Sequence, residues 1–414
     1  MKIAGVIAEY NPFHAGHAYH LSQTRARTGC DFIVVCMAGS FVQRGEAACL
    51  SKWARAEMAL RCGADAVVEL PALFAVRPAD AFAMGGVGTL DGLGVDVLSF
   101  GSEDASLPRR LAELRRDEPP ELAEQVRKNL AAGMSHARAW GAAAAEYLGV
   151  DPSRLGAPNT ILGAEYLRAI DLLQSGMDVE IVPRAGDYHD ASLPDVPSAS
   201  APRNSSRAGE PSGETGSAGN VRFASATAIR AALREGRRSE ALACVPAEAR
   251  PILAHAGAMH EPDDLLLARL RAMTEAEIAG LPDVAEGLER RILRCAAGAP
   301  TREALLDALK CKRYTRARLS RILAHAMLGM TGALVRRHPR PEYVRLIGMR
   351  EDARPLVREL SRRARLPLFS SPSKLAGSEI FNLECRATDL RALMCDAAEE
   401  RRSGQEFTQK FVRL

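Results

Sequence analysis

Residues 2–17, KIAGVIAEYNPFHAGH, run from an unbroken apolar stretch into two histidines three positions apart. The run at 2–8 has a β-branched centre and no polar alternation, the pattern of a strand buried on both faces. A helix is expected from Gly16 to Arg27. Where a strand hands over to a helix, the first helical N–H groups are unpaired, and such an N-terminus attracts phosphate. Gly16 lets the backbone approach a ligand closely. His14 and His17 then stand beside the phosphates, where, as N–H donors or as imidazolium ions, they can neutralise charge that develops at phosphorus. His20, one turn on, reads as a supporting residue.

The same rhythm continues along the chain. Further strands are expected at 31–37, 65–70, 95–100 and 179–183, with helices at 52–62 (capped by Ser51) and near 78–91. Strands alternating with helices at this spacing predict an α/β fold, a Rossmann-like, doubly wound parallel sheet. Residues 106–175 read as helical. Residues 190–221 are dominated by Pro, Ser, Gly and Ala and read as a disordered insertion or loop, with structure resuming at Phe223. Beyond about 228 the pattern is helical; Leu319, Ile322, Leu323, Ala326, Met327 and Met330 mark one helix face. The expected organisation is a nucleotide-binding domain at 1–189, the insertion at 190–221, a segment at 222–240 that completes the first domain, and a mainly helical basic region at 241–414.

A second chemistry-bearing segment is Ala224-Ser225-Ala226-Thr227-Ala228-Ile229-Arg230. Small hydroxyl residues open a helix with an arginine one turn in, so hydroxyls, N–H groups and a charged fork can hold phosphate oxygens together. Gln43, Arg44 and Glu46 lie in a tight Gly-rich loop and are substrate-contact candidates or an internal ion pair. Lys52 either reaches phosphate or starts a helix. Asp187, Tyr188 and His189 follow the fifth strand, at the sheet edge where open α/β folds bind ligands. No Walker A sequence and no GxGxxG follow the first strand, which disfavours P-loop and ordinary dinucleotide readings.

Composition narrows the class. No apolar run is long enough to span a membrane, and the N-terminal apolar stretch is too short for a signal peptide. The nine cysteines are scattered and never spaced CxxC, as expected of small buried residues in a reducing compartment. Net charge is +4, unevenly spread: residues 301–414 hold 24 Lys and Arg against 13 Asp and Glu. A basic back half suits a polyanionic partner.

These segments resemble the HxGH nucleotidyltransferases, and the likeness extends further. NPFHAGHAYH, GSFVQRGE, SKWARAEMAL, GADAVVELP, GSE at 101–103, APNTILGAEYL at 157–167, PRAGDYHD at 183–190 and KRYTRARLSRIL at 312–323 are similar to the tRNA(Met) cytidine acetate ligase family. The likeness spans most of residues 1–350; the last sixty residues carry none of it. It implies a cytoplasmic enzyme that uses ATP to activate acetate as acetyl-AMP, then passes acetyl to the wobble cytidine of elongator tRNA(Met). Mg²⁺ is expected with the ATP, and no dedicated metal ligands are evident. The resemblance implies a nucleotide cradle of Ile7, Ala8, Glu9, Tyr10, Asn11, Pro12, Phe13, His14, Ala15, Gly16, His17, Ala18, Tyr19 and His20, with Gly101, Asn159, Arg184, Ser225 and Thr227. It gives catalytic roles to His14, His17 and Arg230, and RNA contact to Lys312, Arg313, Arg316, Arg318 and Arg321. Two other readings stay open: a small-molecule nucleotidyltransferase, which needs no basic back half, and a non-catalytic RNA-binding protein with a vestigial pocket. Oligomeric state is not legible.

Overall fold

The computed structural model describes residues 1–134, 136–184, 223–285, 287–311 and 313–414. The expected insertion at 190–221 lies outside them, as do Asp187, Tyr188, His189 and Lys312. In chain order the front half consists of β1 (Ile3–Ala8), α1 (Ala15–Thr28), β2 (Phe32–Ala38), α2 (Lys52–Arg61), β3 (Ala66–Leu70), α3 (Ala72–Ala75), α4 (Ala79–Leu93) and β4 (Val97–Ser102). It continues with α5 (Leu107–Arg116), α6 (Pro120–Ala131), α7 (His136–Leu148), α8 (Pro152–Leu155), α9 (Pro158–Leu173) and β5 (Asp178–Pro183), and α10 (Ala226–Arg234) follows. The five strands pair in parallel in the order β5-β4-β1-β2-β3. This is the expected doubly wound sheet. Its order reverses between β1 and β4, where open sheets leave a crevice beyond their C-terminal ends.

Alternation along β1 sends Ile3 and Ile7 to one apolar layer, with Phe82, Leu90 and Tyr166, and Ala4 and Val6 to the other, with Leu21, Phe13 and Ile229. The strand starts are tied by aspartates: Asp65 accepts the Ile33 N–H at 2.7 Å and Asp96 accepts the Ile3 N–H at 2.7 Å.

The back half is mainly helical, but it also supplies strands that its helical pattern did not predict. β6 (Val344–Met349) lies antiparallel beside β3, and β7 (Leu368–Phe369) and β8 (Val412–Arg413) run parallel to β6. The physical reason is the apolar outer edge of β3, whose backbone groups need partners; all six residues of β6 are buried. The helix Arg316–Leu328 presents the predicted face: Leu319, Ile322, Leu323 and Ala326 enter a third apolar cluster.

Candidate active site

His14 is the N-cap of α1. Its Nδ1 accepts the Gly16 N–H at 3.1 Å, while His17 Nδ1 reaches back to accept the His14 N–H at 3.2 Å. The two rings stack with centroids 3.6 Å apart. An Nδ1 that accepts a backbone N–H carries no proton, so both imidazoles are Nε2–H tautomers. The site therefore offers two neutral N–H donors. Burial pushes the His14 imidazolium down to about 3, with the Arg184 charge adding to the effect. Burial also drives His17 well down, helped by His14, Arg184 and His20. Of the two forms open from the sequence, the neutral donor is the one the structure supports. A side chain at Gly16 would crowd the stacked histidines, since a Cβ would stand 3.0 Å from His14 Cε1. Tyr10 holds a left-handed φ of 49°, with its ring packed 4.7 Å from both Phe13 and His17.

The second segment joins the first. Ser225 caps α10, its Oγ accepting the Ala228 N–H at 3.1 Å. Arg230 donates to the Asn11 carbonyl at 2.7 Å and lies 3.6 Å from Glu46. Residues 219 positions apart thus close one cleft across the sheet switch point. Its lining includes Ile7, Ala8, Glu9, Tyr10, Asn11, His14, Gly16, His17, Tyr19 and His20 from the first segment. Gly101, Asn159, Arg184, Ser225, Thr227 and Arg230 complete the expected set, and Gln43, Arg44 and Glu46 line it as well. Of the expected cradle, Pro12, Phe13, Ala15 and Ala18 are not among the lining residues; Phe13 is fully buried in the α1-side core. His20 Nε2 lies 3.3 Å from Ser99 Oγ. Asn159 donates to Glu103 at 2.6 Å.

A family profile, HIGH Nucleotidyl Transferase, matches residues 1–218 and 206–406. A tRNA(Met) cytidine acetate ligase of Caldanaerobacter subterraneus is 34% identical, with 95% of each chain covered. The protein of the same name from Bacillus subtilis is 33% identical, with 95% of this chain and 92% of its own covered. The chain belongs to the tRNA(Met) cytidine acetate ligase family. The crystal structure of apo Thermotoga maritima TmcAL superposes with a TM-score of 0.87 at 29% identity over 100% of both chains. A second crystal form of that protein, bound with alpha-thio ATP, gives 0.85 with the same coverage. The family match extends to residue 406, well past the point where the sequence motifs ran out.

Within this family member, Arg55 escaped the sequence reading, and of the two readings of Lys52 the structure bears out the start of a helix, α2. Arg55, fully buried on α2, donates to the carbonyls of Glu9 at 2.6 Å, Ala38 at 2.9 Å, Leu50 at 3.2 Å and also Gly39. It pins the C-terminal ends of β1 and β2 under the cleft. Lys52 does not reach phosphate. It is buried against Glu69, Glu384 (2.9 Å) and Glu406 (2.5 Å), and Arg345 bonds Glu69 (3.0 Å) and Glu406 from the other side. Two of the three carboxylates, Glu384 and Glu406, lie more than three hundred residues from Lys52, so nothing local marks its surroundings.

The RNA-contact candidates are placed differently from one another. Arg313 is exposed. Arg316 pairs with Asp307 at 2.6 Å and with Glu303. Arg318 donates to the Asp283 carbonyl at 2.8 Å, and Arg321 is half-buried. Their helix touches the cleft loop instead: Ser320 Oγ donates to the Arg44 carbonyl at 2.6 Å. No helix among the described residues is long and apolar enough to cross a membrane.

Proposed function

We propose that this chain is an ATP-dependent ligase that activates acetate as acetyl-AMP, releasing pyrophosphate, and transfers acetyl to the wobble cytidine of elongator tRNA(Met), giving N4-acetylcytidine. The observation that carries the reading is the stacked, neutral His14–His17 pair sharing one cleft with Ser225, Thr227, Arg230 and Arg184. ATP lies with its phosphates against the α1 and α10 N-termini. An acetate oxygen attacks the α-phosphorus, and the negative charge gathering on pyrophosphate meets the His14 and His17 Nε2–H donors and the Arg230 guanidinium. The donors are neutral before ATP arrives, so the cleft does not carry two extra buried cations in its resting state.

Magnesium accompanies the triphosphate in such chemistry. The residues present do not fit a protein-held magnesium site. The one grouping of three carboxylates among the described residues, Glu69, Glu384 and Glu406, is taken by Lys52 and Arg345. Glu9 and Glu46 in the cleft are bonded to the Gln43 N–H and paired with Arg230. Magnesium would be expected to arrive with the triphosphate and shield its charge, and no step above is routed through it. An exposed single-stranded base is the accessible kind of acceptor. The basic back half, including Arg313, offers charge to the tRNA backbone, and such an acceptor places the reaction in the cytoplasm.

The test is transfer of labelled acetate to an elongator tRNA(Met) transcript with ATP and magnesium, with His17→Ala alongside. The expected result is ATP-dependent label in the wobble cytidine, reduced by about 100-fold or more in the variant. Release of AMP and pyrophosphate with acetate alone, without label in the tRNA, overturns the acceptor. The absence of any acetate-dependent turnover overturns the ligase reading.

A further inference from the structure

The cleft collects anions, so a carboxylate inside it needs an explanation. Glu9 directly follows the last residue of β1, Ala8, and lines the cleft. One wall of that cleft is Phe82, Phe100, Leu162 and Tyr166, packed in or against the apolar layer that holds Ile7, while His14, His17, Ser225, Thr227 and Arg230 come from the starts of α1 and α10. Burial raises the Tyr166 hydroxyl, and the Glu9 charge adds to the rise. One carboxylate oxygen accepts the Gln43 N–H at 2.9 Å, and the Glu9 carbonyl is held by Arg55. The side chain is thus fixed at both ends, with Arg230 on α10 and Arg44 and Glu46 on the loop as its charged neighbours. Burial raises this carboxyl above the usual range; the Gln43 N–H and Arg230 partly oppose the rise.

We propose that Glu9 is the catalytic carboxylate of the second step: it receives the exocyclic amine of the acceptor cytosine, seated on the aromatic side of the cleft, and takes its proton as the amine attacks acetyl-AMP. This rests on the ligase reading above. A glutamate accepting from the cytosine N4 amine is a natural pairing of donor and acceptor. In the step, the N4 lone pair forms the bond to the acetyl carbon. The bond from that carbon to the phosphate oxygen breaks, AMP leaves with the electron pair, and the N4 proton passes to Glu9. The group that does this must stand near the α-phosphate. Glu9 lines the same cleft as His14, His17 and Arg230, with Arg230 among its charged neighbours. An adenine amine, by contrast, sits a ribose away from the reacting carbon.

Two assays separate the steps. Acetate-dependent ATP–pyrophosphate exchange reads the first, and single-turnover transfer from preformed acetyl-AMP to the tRNA transcript reads the second. Glu9→Gln keeps the side-chain length and the acceptor for the Gln43 N–H. Its transfer is expected to fall by about 100-fold more than its exchange. In the wild-type enzyme the transfer rate falls on acidification, through a midpoint above the ordinary glutamate range. Two results overturn the proposal: equal loss of both steps or a raised KM for ATP in Glu9→Gln, and near-normal transfer in that variant. Glu9→Asp, which keeps a carboxylate, is the second variant: partial recovery of transfer over Glu9→Gln is expected, and no recovery overturns the proposal. Absence of exchange in the wild-type enzyme is a different failure, that of the ligase reading itself.

Discussion

His14 makes the first helix and the first chemical group of the site out of one imidazole. Because its Nδ1 caps α1, the ring must stay neutral for the helix to begin where it does. Its ordinary midpoint of 6.5 is lowered to about 3 in the folded chain. Between these values the unfolded chain binds a proton that the folded one refuses, so stability falls as pH falls through this window and is whole above it. Between pH 6.5 and 5 the loss from this residue is roughly 2 kcal/mol. His14→Gln keeps an acceptor for the cap and removes the titration. Urea midpoints measured from about pH 7.5 to 5 are expected to decline less steeply in this variant; parallel declines count against the neutral-cap account. This pair was legible in the sequence because its parts are contiguous. Arg55 and the ionic setting of Lys52 were not, because an arginine that binds four carbonyls and a lysine inside three carboxylates look locally like any helix surface.

The loop between β2 and α2 shows how an element can be set by something outside its own sequence. Gly45 has φ of 74°, and a Cβ there would stand 2.6 Å from the Ser320 carbonyl oxygen. The helix Arg316–Leu328 therefore presses its backbone on the loop that carries Gln43, Arg44 and Glu46 into the cleft. Gly45→Ala is both strained in dihedral and obstructed by backbone, so the loop must move. Exchange and transfer are expected to fall by about tenfold or more while the rest of the fold survives, read as activity against an unchanged far-UV circular dichroism spectrum. Normal activity would mean that the loop position is slack. The five parallel strands and their helices were readable from apolar runs bounded by Gly and Pro. β6 was not. VRLIGM is a short apolar run in a helical neighbourhood, and only the open edge of β3 makes it a strand.

At the scale of the molecule, front and back are locked by one buried ionic group. Lys52 and Glu69 come from the nucleotide-binding half, and Arg345, Glu384 and Glu406 from the other. Removing one member of such a set leaves uncompensated buried charge. Lys52→Met is expected to cost about 3–5 kcal/mol in urea unfolding, and Lys52→Met with Glu384→Gln is expected to recover part of it. A loss below about 1 kcal/mol would show that the network is not holding the halves together. The division at residue 241 read from the sequence marks a change of pattern; the sheet and this network both cross it.

That crossing has a consequence in time. β3 ends at Leu70 and its neighbour β6 begins at Val344. A ribosome working at roughly 5–20 residues per second needs about 14–55 s to make the chain between them. For that interval the nascent protein carries an open, apolar strand edge, with Glu69 lacking Arg345. A message cut short between Arg230 and Val344 yields a polypeptide with both phosphate-binding segments complete and its sheet unfinished. Such fragments are fit for aggregation or disposal rather than for partial service.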